Sequence, residues 1–323
     1  MTLEMRVVAV LDLNEVIRQV QLAPVGGCPL PAFTPGAHIL VQVELADGVA
    51  DWRHYSLVEL DPAANLGAPP TYTIAIRRED EGRGGSRFMH RLRVGDVLTV
   101  QEPKNEFPLR TGGGRTVLVA GGIGITPLAS MAARCRAQGH PVRLHYAGRS
   151  RALMAFLPQL EQLLGDDLRV HEDTVSGGPL DVDALLAQCG ENDHLHVCGP
   201  KALLDAVLAR ARERGWPPER VHFELFTAPA AEAGDKAFEV VLSRSGRTLH
   251  VAADQSVLDC LVHAGCDPMF DCKRGECGVC TTVVLEGEVD HRDYVLSHAE
   301  KASGKLMQIC VSRARSSRLV LDL

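Results

Sequence analysis

No stretch of this 323-residue chain runs for the ~20 uninterrupted apolar residues that a bilayer-crossing helix needs. Also missing from MTLEMRVVAV are the basic region, long apolar core and small-residue cleavage site of an export signal; polar and apolar residues alternate there instead. Both absences point to a cytoplasmic protein with no membrane partner. An excess of positive charge is absent too: 34 Lys and Arg stand against 41 Asp and Glu, and the formal charge of -7 gives no reason to expect nucleic acid. Cysteine is sparse, ten in all, and in a reducing compartment these are thiols, not a disulfide framework. Cys28, Cys135, Cys189, Cys198, Cys260 and Cys266 are scattered, and isolated cysteines are expected as small buried apolar residues.

The other four are not scattered. DCKRGECGVC, residues 271–280, sets Cys272, Cys277 and Cys280 at the C-x4-C-x2-C spacing of plant-type [2Fe-2S] proteins, and Cys310 is the only cysteine that follows to complete four ligands. Gly275 and Gly278 permit the loop to wrap a compact object, and backbone N–H groups in such a loop can bond the sulfurs. Structural zinc more often takes paired C-x2-C knuckles; zinc, or cysteines with no metal, are the alternatives. A two-plus-two arrangement gives Cys272 and Cys277 one iron and Cys280 and Cys310 the other, a split that order along the chain does not decide. Cys266 precedes the loop at a spacing that does not fit and is assigned to packing.

The length suits two or three domains. Residues 1–110 carry short alternating runs (MRVVAVLDL, VIRQVQLAP, AHILVQVEL, TYTIAIRR, DVLTVQEP), which indicate an antiparallel barrel or sandwich. From 111 to 228 strands alternate with helices: RTVLVA, LASMAARCRAQG, VRLHYAG, AFLPQLEQLLG, LRVHED, LDVDALLAQCG, HLHVCG, KALLDAVLARARERG and VHFELF. That alternation implies an α/β domain with a parallel sheet. TAPAAEAGDK lacks periodicity, and 229–236 is expected as a linker. Residues 237–323 form a small domain, expected as a hairpin turned by Ser245-Gly246, a helix over 256–265, a second hairpin turned by Glu286-Gly287 and a final strand RLVLDL.

Three strand ends in the α/β region carry ligand chemistry. In GGIGITP, Gly121, Gly122 and Gly124 lack β-carbons and allow a diphosphate to approach the backbone, while Thr126 and the first helical turn offer donors. This is not the GxGxxG fingerprint. Arg149 in YAGRS can hold the adenosine side of a dinucleotide, or is a solvated arginine. Cys198, Gly199 and Pro200 in VCGP let a nicotinamide pass close to the backbone, or form a rigid turn. Ligands of open α/β sheets lie at such carboxyl ends. In the β region, RHYSL places Arg53 and Tyr55 on one face of an extended segment and His54 and Ser56 on the other. Tyr55 can flank a flavin ring, Ser56 can donate to its reactive edge and Arg53 can meet phosphate. GRGGSRFMH adds a phosphate-sized nest with Gly85 and Ser86 before a short helix, and Arg77 adds charge. Taken alone, an aromatic and an arginine on a strand are structural more often than not.

The whole constellation (RHYSL, GRGGS, GGIGITP, YAGRS, VCGP, HFELF and CKRGECGVC with Cys310) resembles the phthalate dioxygenase reductase family, which includes vanillate demethylase reductase subunits. The resemblance covers essentially the whole chain. It implies an N-terminal antiparallel flavin-binding β-barrel, a central parallel-sheet α/β nicotinamide domain and a C-terminal plant-type ferredoxin β-grasp domain. It also implies FMN, NADH and a [2Fe-2S] cluster as cofactors, with a Rieske-type terminal oxygenase as partner of a monomeric reductase. By resemblance, Arg53, Tyr55, Ser56, Ile76, Arg77, Gly85 and Ser86 match the FMN-binding motifs, and Phe226 matches an aromatic that covers the flavin, unless it is ordinary sheet core. The expected route runs from NADH as hydride to FMN, then as single electrons through the cluster. Ser56, Thr126 and Phe226 are the candidate catalytic residues around the reacting rings. A cytochrome P450 or a diiron monooxygenase is the alternative acceptor, and a redox-sensing or scaffold module is the non-enzymatic alternative.

Overall fold

A computed structural model describes residues 1–45, 47–64, 66–227, 232 and 234–323 of the chain. The expected linker at 229–236 falls in large part on 229–231 and 233, which lie outside the described residues. The chain divides into two compact units, Met1–Glu224 and Leu225–Leu323.

Among the described residues, the first unit opens with a six-stranded antiparallel sheet in the order β4-β3-β6-β1-β2-β5. Its strands are β1 (Thr2–Asp12), β2 (Ile17–Pro24), β3 (His38–Glu44), β4 (Ala50–Ser56), β5 (Tyr72–Arg77) and β6 (Val97–Gln101), with the one-and-a-half-turn helix α1 (Gly85–His90) before β6. The alternation seen in the sequence is the alternation of faces: Met5 and Val7 of β1 are buried, while Glu4 before them and Arg6 between them are exposed. A bulge between Val7 and Ala9 shifts the β1–β2 register, which bends the strand so that the sheet curls. Its outer strands approach each other where Val58 N–H donates to Thr73 O at 2.8 Å. The sheet is therefore a nearly closed barrel, with Ile39, Val41, Tyr72 and Ile74 among its fully buried side chains.

A five-stranded parallel sheet follows in the order β11-β10-β7-β8-β9. It is built from β7 (Thr116–Gly121), β8 (Val142–Gly148), β9 (Leu168–Glu172), β10 (His194–Cys198) and β11 (Val221–Glu224). Helices α2 (Ile125–Ala137), α3 (Leu157–Leu164), α4 (Asp173–Ser176), α5 (Val182–Leu186) and α6 (Lys201–Glu213) cross between the strands. All six residues of β7 are buried, as expected of a central strand covered on both faces. The helix α2 begins at Ile125, earlier than the apolar pattern from Leu128 suggests; Pro127 is tolerated because the first-turn N–H groups have no intrahelical acceptor. Ser130 of α2 donates to Leu57 O at 2.9 Å and accepts from Glu59 N at 2.8 Å. That one hydroxyl fastens the helix to the segment leaving β4.

The second unit holds, among its described residues, a five-stranded sheet in the order β13-β12-β18-β14-β16 and a two-stranded ribbon β15-β17. The strands are β12 (Phe238–Leu242), β13 (Thr248–Val251), β14 (Thr281–Glu286), β15 (Val289–Asp290), β16 (Leu306–Gln308), β17 (Arg313–Ala314) and β18 (Arg318–Leu321), and the helices are α7 (Val257–His263) and α8 (His298–Ser303). β12 runs parallel to β18 and antiparallel to β13, so the first expected hairpin is present. The second is not: β14 pairs with β16 and β18, and the residues after Gly287 pair with β17 instead. Gly287 is a crossing point and not a hairpin turn, since a β-carbon there would lie 2.4 Å from Arg318 O. The helix α8 carries a full capping box, Ser297 with Glu300, a local signal legible in SHAE.

The cysteines outside the loop divide three ways. Cys135, Cys198 and Cys260 are buried, Cys189 and Cys266 are half-buried, and Cys28 is exposed, where most are expected as small buried filler. Cys28 sits in a proline-rich loop after β2, where no sheet covers it.

Asp235 anchors the start of the second unit. Its carboxylate takes Arg292 in a fork, Nη1 at 2.9 Å and Nη2 at 2.5 Å, with Arg313 Nε at 3.6 Å. The Arg292 hydrogen bonds hold its pKa down at about 2. A depressed folded pKa contributes stability that is present above the ordinary carboxylate range and lost as pH falls through about 2. Asp235→Ala, which removes the carboxylate shared by Arg292 and Arg313 but leaves Arg292 on Asp290 and Arg313 on the carbonyls of Lys236, Ala252 and Gln255, is expected to destabilise the unit by about 2 kcal/mol near neutral pH. Urea unfolding at pH 7 and again at pH 3 tests this, with the difference between variant and native protein shrinking at the lower pH.

Candidate redox centre and nucleotide sites

The loop 271–280 is wound by three left-handed residues, Lys273 at φ 55° and Gly275 and Gly278 at φ 79°. Gly275 is also sterically required: a β-carbon there would meet Val311 Cγ2 at 2.6 Å. The loop presses against the end of β16, where Gln308, Ile309 and Cys310 are buried. The result is that the four thiols approach as two pairs. Cys280 Sγ lies 3.2 Å from Cys310 Sγ, well beyond the ~2.05 Å of a disulfide. Cys277 is engaged by the Cys272 thiol, and Cys272 Sγ accepts Arg274 N–H at 3.3 Å. Among the described residues, no three His, Cys, Asp or Glu side chains converge as one metal ion would require. Two pairs suit a two-iron cluster, in which bridging sulfides complete each metal, and do not suit a single tetrahedral zinc.

The electrostatics fit the same group. The hydrogen bond between Cys280 and Cys310 lowers the Cys280 pKa to about 7 and drives that of Cys310 upward. Burial pushes the Cys277 thiol up to about 11. Buried sulfurs of this kind hold negative charge when cations sit between them. Gln308, fully buried, accepts from Cys280 Sγ at 3.3 Å and donates to Thr281 Oγ1 at 2.7 Å, which orients its amide toward the pair.

Next to Cys277, the Glu276 carboxylate is buried. Burial raises its pKa against the pull of Arg274, whose Nε is 2.9 Å away, and its other oxygen accepts Leu225 N–H at 2.8 Å. Nothing in the cysteine spacing signals this residue.

In the parallel sheet, strand order reverses between β7 and β10, where open α/β sheets bind ligands. There the two strand ends touch backbone to backbone. A β-carbon on Gly199 would lie 3.0 Å from Gly121 Cα, and one on Gly124 would lie 2.2 Å from Cys198 O. Gly122 differs: its φ is 53° and nothing lies within 4 Å of the missing β-carbon, so it faces open space. The helix α2 starts here without a side-chain cap, leaving first-turn N–H groups for an anion. Thr126 is buried and its hydroxyl donates to Ile123 O at 3.0 Å, so its oxygen is left as an acceptor. Arg149 is exposed at the end of β8, where its carbonyl takes Thr174 N–H and Oγ1. Pro200 is exposed just beyond β10, with its ring against Gly121.

The barrel gathers a second anion site. Gly84 is left-handed at φ 106°, and α1 starts after it with no side-chain cap. Arg53 crosses this point, since a β-carbon on Gly85 would sit 3.0 Å from its Nε. Arg53 and Arg83 both reach Asp51, at 2.7 and 3.6 Å. Burial opposes the charge on Asp51, but the Arg53 hydrogen bond prevails and keeps its pKa below the ordinary value. Ser86 Oγ accepts Glu79 N–H at 2.9 Å, tying the nest to the loop after β5. Tyr55 and Ser56 end β4, paired with Ile39 and His38, and burial pushes the Tyr55 hydroxyl pKa upward. Ile76 is buried as a side chain, so only its backbone is available to a ligand, and Arg77 is exposed beside Glu79 at 3.6 Å. Phe226 is half-buried and belongs to the second unit. Asp51, Arg83 and Ser130 have no sequence signal beyond their neighbourhood.

The family described as "2Fe-2S iron-sulfur cluster binding domain" matches residues 240–315. The vanillate O-demethylase oxidoreductase of Pseudomonas sp. (strain HR199) is 42% identical over 301 residues, covering 91% of each chain. The heme-dependent oxidative N-demethylase beta subunit of Ectopseudomonas mendocina is 40% identical over 322 residues, 99% of each chain. Phthalate dioxygenase reductase, described as a modular structure for electron transfer from pyridine nucleotides to [2Fe-2S], superimposes with a TM-score of 0.73 at 36% identity, covering 100% of this chain and 98% of that one.

The contacts at the switch point separate two glycines by mechanism. Gly124→Ala drives a β-carbon into backbone and is expected to cost about 2–3 kcal/mol, whereas Gly122→Ala meets only the left-handed backbone penalty of about 1 kcal/mol. Thermal melts of the two variants, with and without NADH, check the order.

Proposed function

Because the chain belongs to the phthalate dioxygenase reductase family, we propose that it is the NADH-dependent, FMN-containing reductase of a Rieske-type aromatic-ring dioxygenase or O-demethylase. The observation that carries this is the paired burial of Cys272 with Cys277 and Cys280 with Cys310, in a chain whose first unit also holds two uncapped helix starts suited to phosphate. In this account the chain comprises a flavin barrel (1–110), a nucleotide domain (111–228), a linker (229–236) and a ferredoxin domain (237–323).

Bound flavin would supply acceptance of a hydride from NADH and release of its two electrons singly toward the [2Fe-2S] centre. The residues of the chain position these groups. Arg53, Gly85 and Ser86 hold the flavin phosphate at the start of α1, Tyr55 flanks the ring, Ser56 faces its edge, and the Ile76 backbone with Arg77 completes the wall. One phosphate nest near the ring-binding strand suits a mononucleotide, which supports FMN over FAD. Gly122 and Thr126 receive the nicotinamide half of NADH beside Cys198, Gly199 and Pro200, with Gly121 and Gly124 packing the two strand ends together, and Arg149 takes the adenosine side. Phe226 serves as the aromatic cover.

Two carboxylates support NADH over NADPH. Glu172 ends β9 in register with Gly148 of β8, and its Oε2 accepts Arg151 N–H at 3.0 Å; Asp173 follows at the start of α4. A 2'-phosphate brought to this edge meets these two carboxylates beside Arg149, whose guanidinium serves either dinucleotide. Glu172→Gln is expected to raise kcat/KM for NADPH about tenfold, the equivalent of ~1.4 kcal/mol of repulsion removed at this partly solvated edge, with little change for NADH.

The relative that serves a heme-dependent N-demethylase supports a second acceptor class, a haem protein. Reconstituted turnover with a Rieske oxygenase and with a haem oxygenase separates the two. The electron order has its own test. Cys277→Ser is expected to abolish or shift the cluster spectrum while flavin reduction by NADH stays within about twofold of the native rate. Equal loss of both steps, with fold and flavin content intact, would refute the order.

A further inference from the structure

Glu276 neither ligates the cluster nor touches the chemistry assigned above, yet both of its oxygens are committed. One pairs with Arg274, the two side chains being only 11% and 7% exposed. The other accepts the backbone N–H of Leu225 at 2.8 Å. A buried carboxylate is costly unless it is paired and hydrogen-bonded, and here the pairing grips a particular peptide. Leu225 is the first residue of the second unit, and its nitrogen is bonded to Glu224, the last residue of β11. The other end of the connecting segment is gripped as well, by Arg292 on Asp235.

We infer that Glu276 is a positioning residue for internal electron transfer: it fastens the cluster loop to Leu225, so that the covalent tether between the parallel sheet and the cluster is one peptide long. This rests on the electron route proposed above. In each event one electron leaves the reduced flavin and enters the cluster; Glu276 carries neither electron nor proton. Released from Glu276, the tether lengthens from one peptide to the eleven residues 225–235, a contour whose root-mean-square span is roughly 18 Å. The cluster then samples a larger volume, and its effective concentration at the electron donor falls.

The test uses holoprotein of verified flavin, iron and sulfide content. Hydrogen exchange of the peptide containing Leu225 is expected to accelerate about tenfold in Glu276→Ala. Glu276→Gln, whose amide oxygen still accepts that N–H, is expected to stay within about threefold of the native rate. By stopped flow, NADH reduces the flavin of Glu276→Ala at the native rate while cluster reduction slows about fivefold, with the cluster's resonance spectrum and reduction potential unchanged.

Two insertions probe the tether without touching the loop. Gly-Ser-Gly-Ser placed after Thr227 lies beyond the grip and is expected to slow cluster reduction by less than about twofold, whereas the same insertion between Glu224 and Leu225 slows it about fivefold. If Glu276→Ala does not retain its cluster, the two insertions decide. Equal effects of the insertions, unchanged exchange at Leu225, or an altered cluster potential in Glu276→Ala overturns the positioning role. Native protein whose flavin NADH fails to reduce refutes the electron route itself.

Discussion

Two cysteine sulfurs lie buried 3.2 Å apart, and the carboxyl-terminal unit is organised around that constraint. Cys280 and Cys310 belong to its hydrophobic core, packed with Met307 and Ile309. A core that places sulfur at its centre is complete when cationic metal neutralises it. The left-handed turns at Lys273, Gly275 and Gly278 are the local cost of wrapping the chain around that point. The Arg274 backbone N–H, which donates to Cys272 Sγ, is a donor of the kind such a centre needs from its surroundings.

The first unit solves a different problem, bringing two anionic ligands to one body of mixed architecture. At the switch point of the parallel sheet, glycines do two jobs. Gly121, Gly124 and Gly199 are packed backbone to backbone, while Gly122 alone faces open space. Part of the glycine signal therefore reports strand packing and part reports the ligand face. In the barrel, Arg53 and Arg83 share Asp51 beside the start of α1. Ser130 then locks the helix that begins at one site to the strand exit of the other.

Connection between the units follows from hydrogen bonds, not from composition. The small, polar run from 227 to 236 reads as a free linker, but Leu225 is held by Glu276 and Asp235 by Arg292. Both grips belong to the second unit, which is why that unit begins at Leu225.

The sequence by itself determined what depends on short range. The cysteine spacing of 272, 277 and 280, the strand alternation in β1, the strand-helix alternation from 116 to 224 and the capping box at Ser297 are set by neighbours a few residues apart. Tertiary structure decided what depends on partners far along the chain. The run after β14 resembles a hairpin, yet β18 and β16 take up its hydrogen bonds and Gly287 becomes a crossing. Cys28 reads as filler, but no sheet covers its loop. Glu276, Asp51 and Ser130 look like ordinary polar residues, and only the groups folded against them give their oxygens a purpose. The physical reason is one of range: backbone torsion and periodicity are local, whereas the satisfaction of a buried polar atom is settled by whichever distant segment arrives beside it.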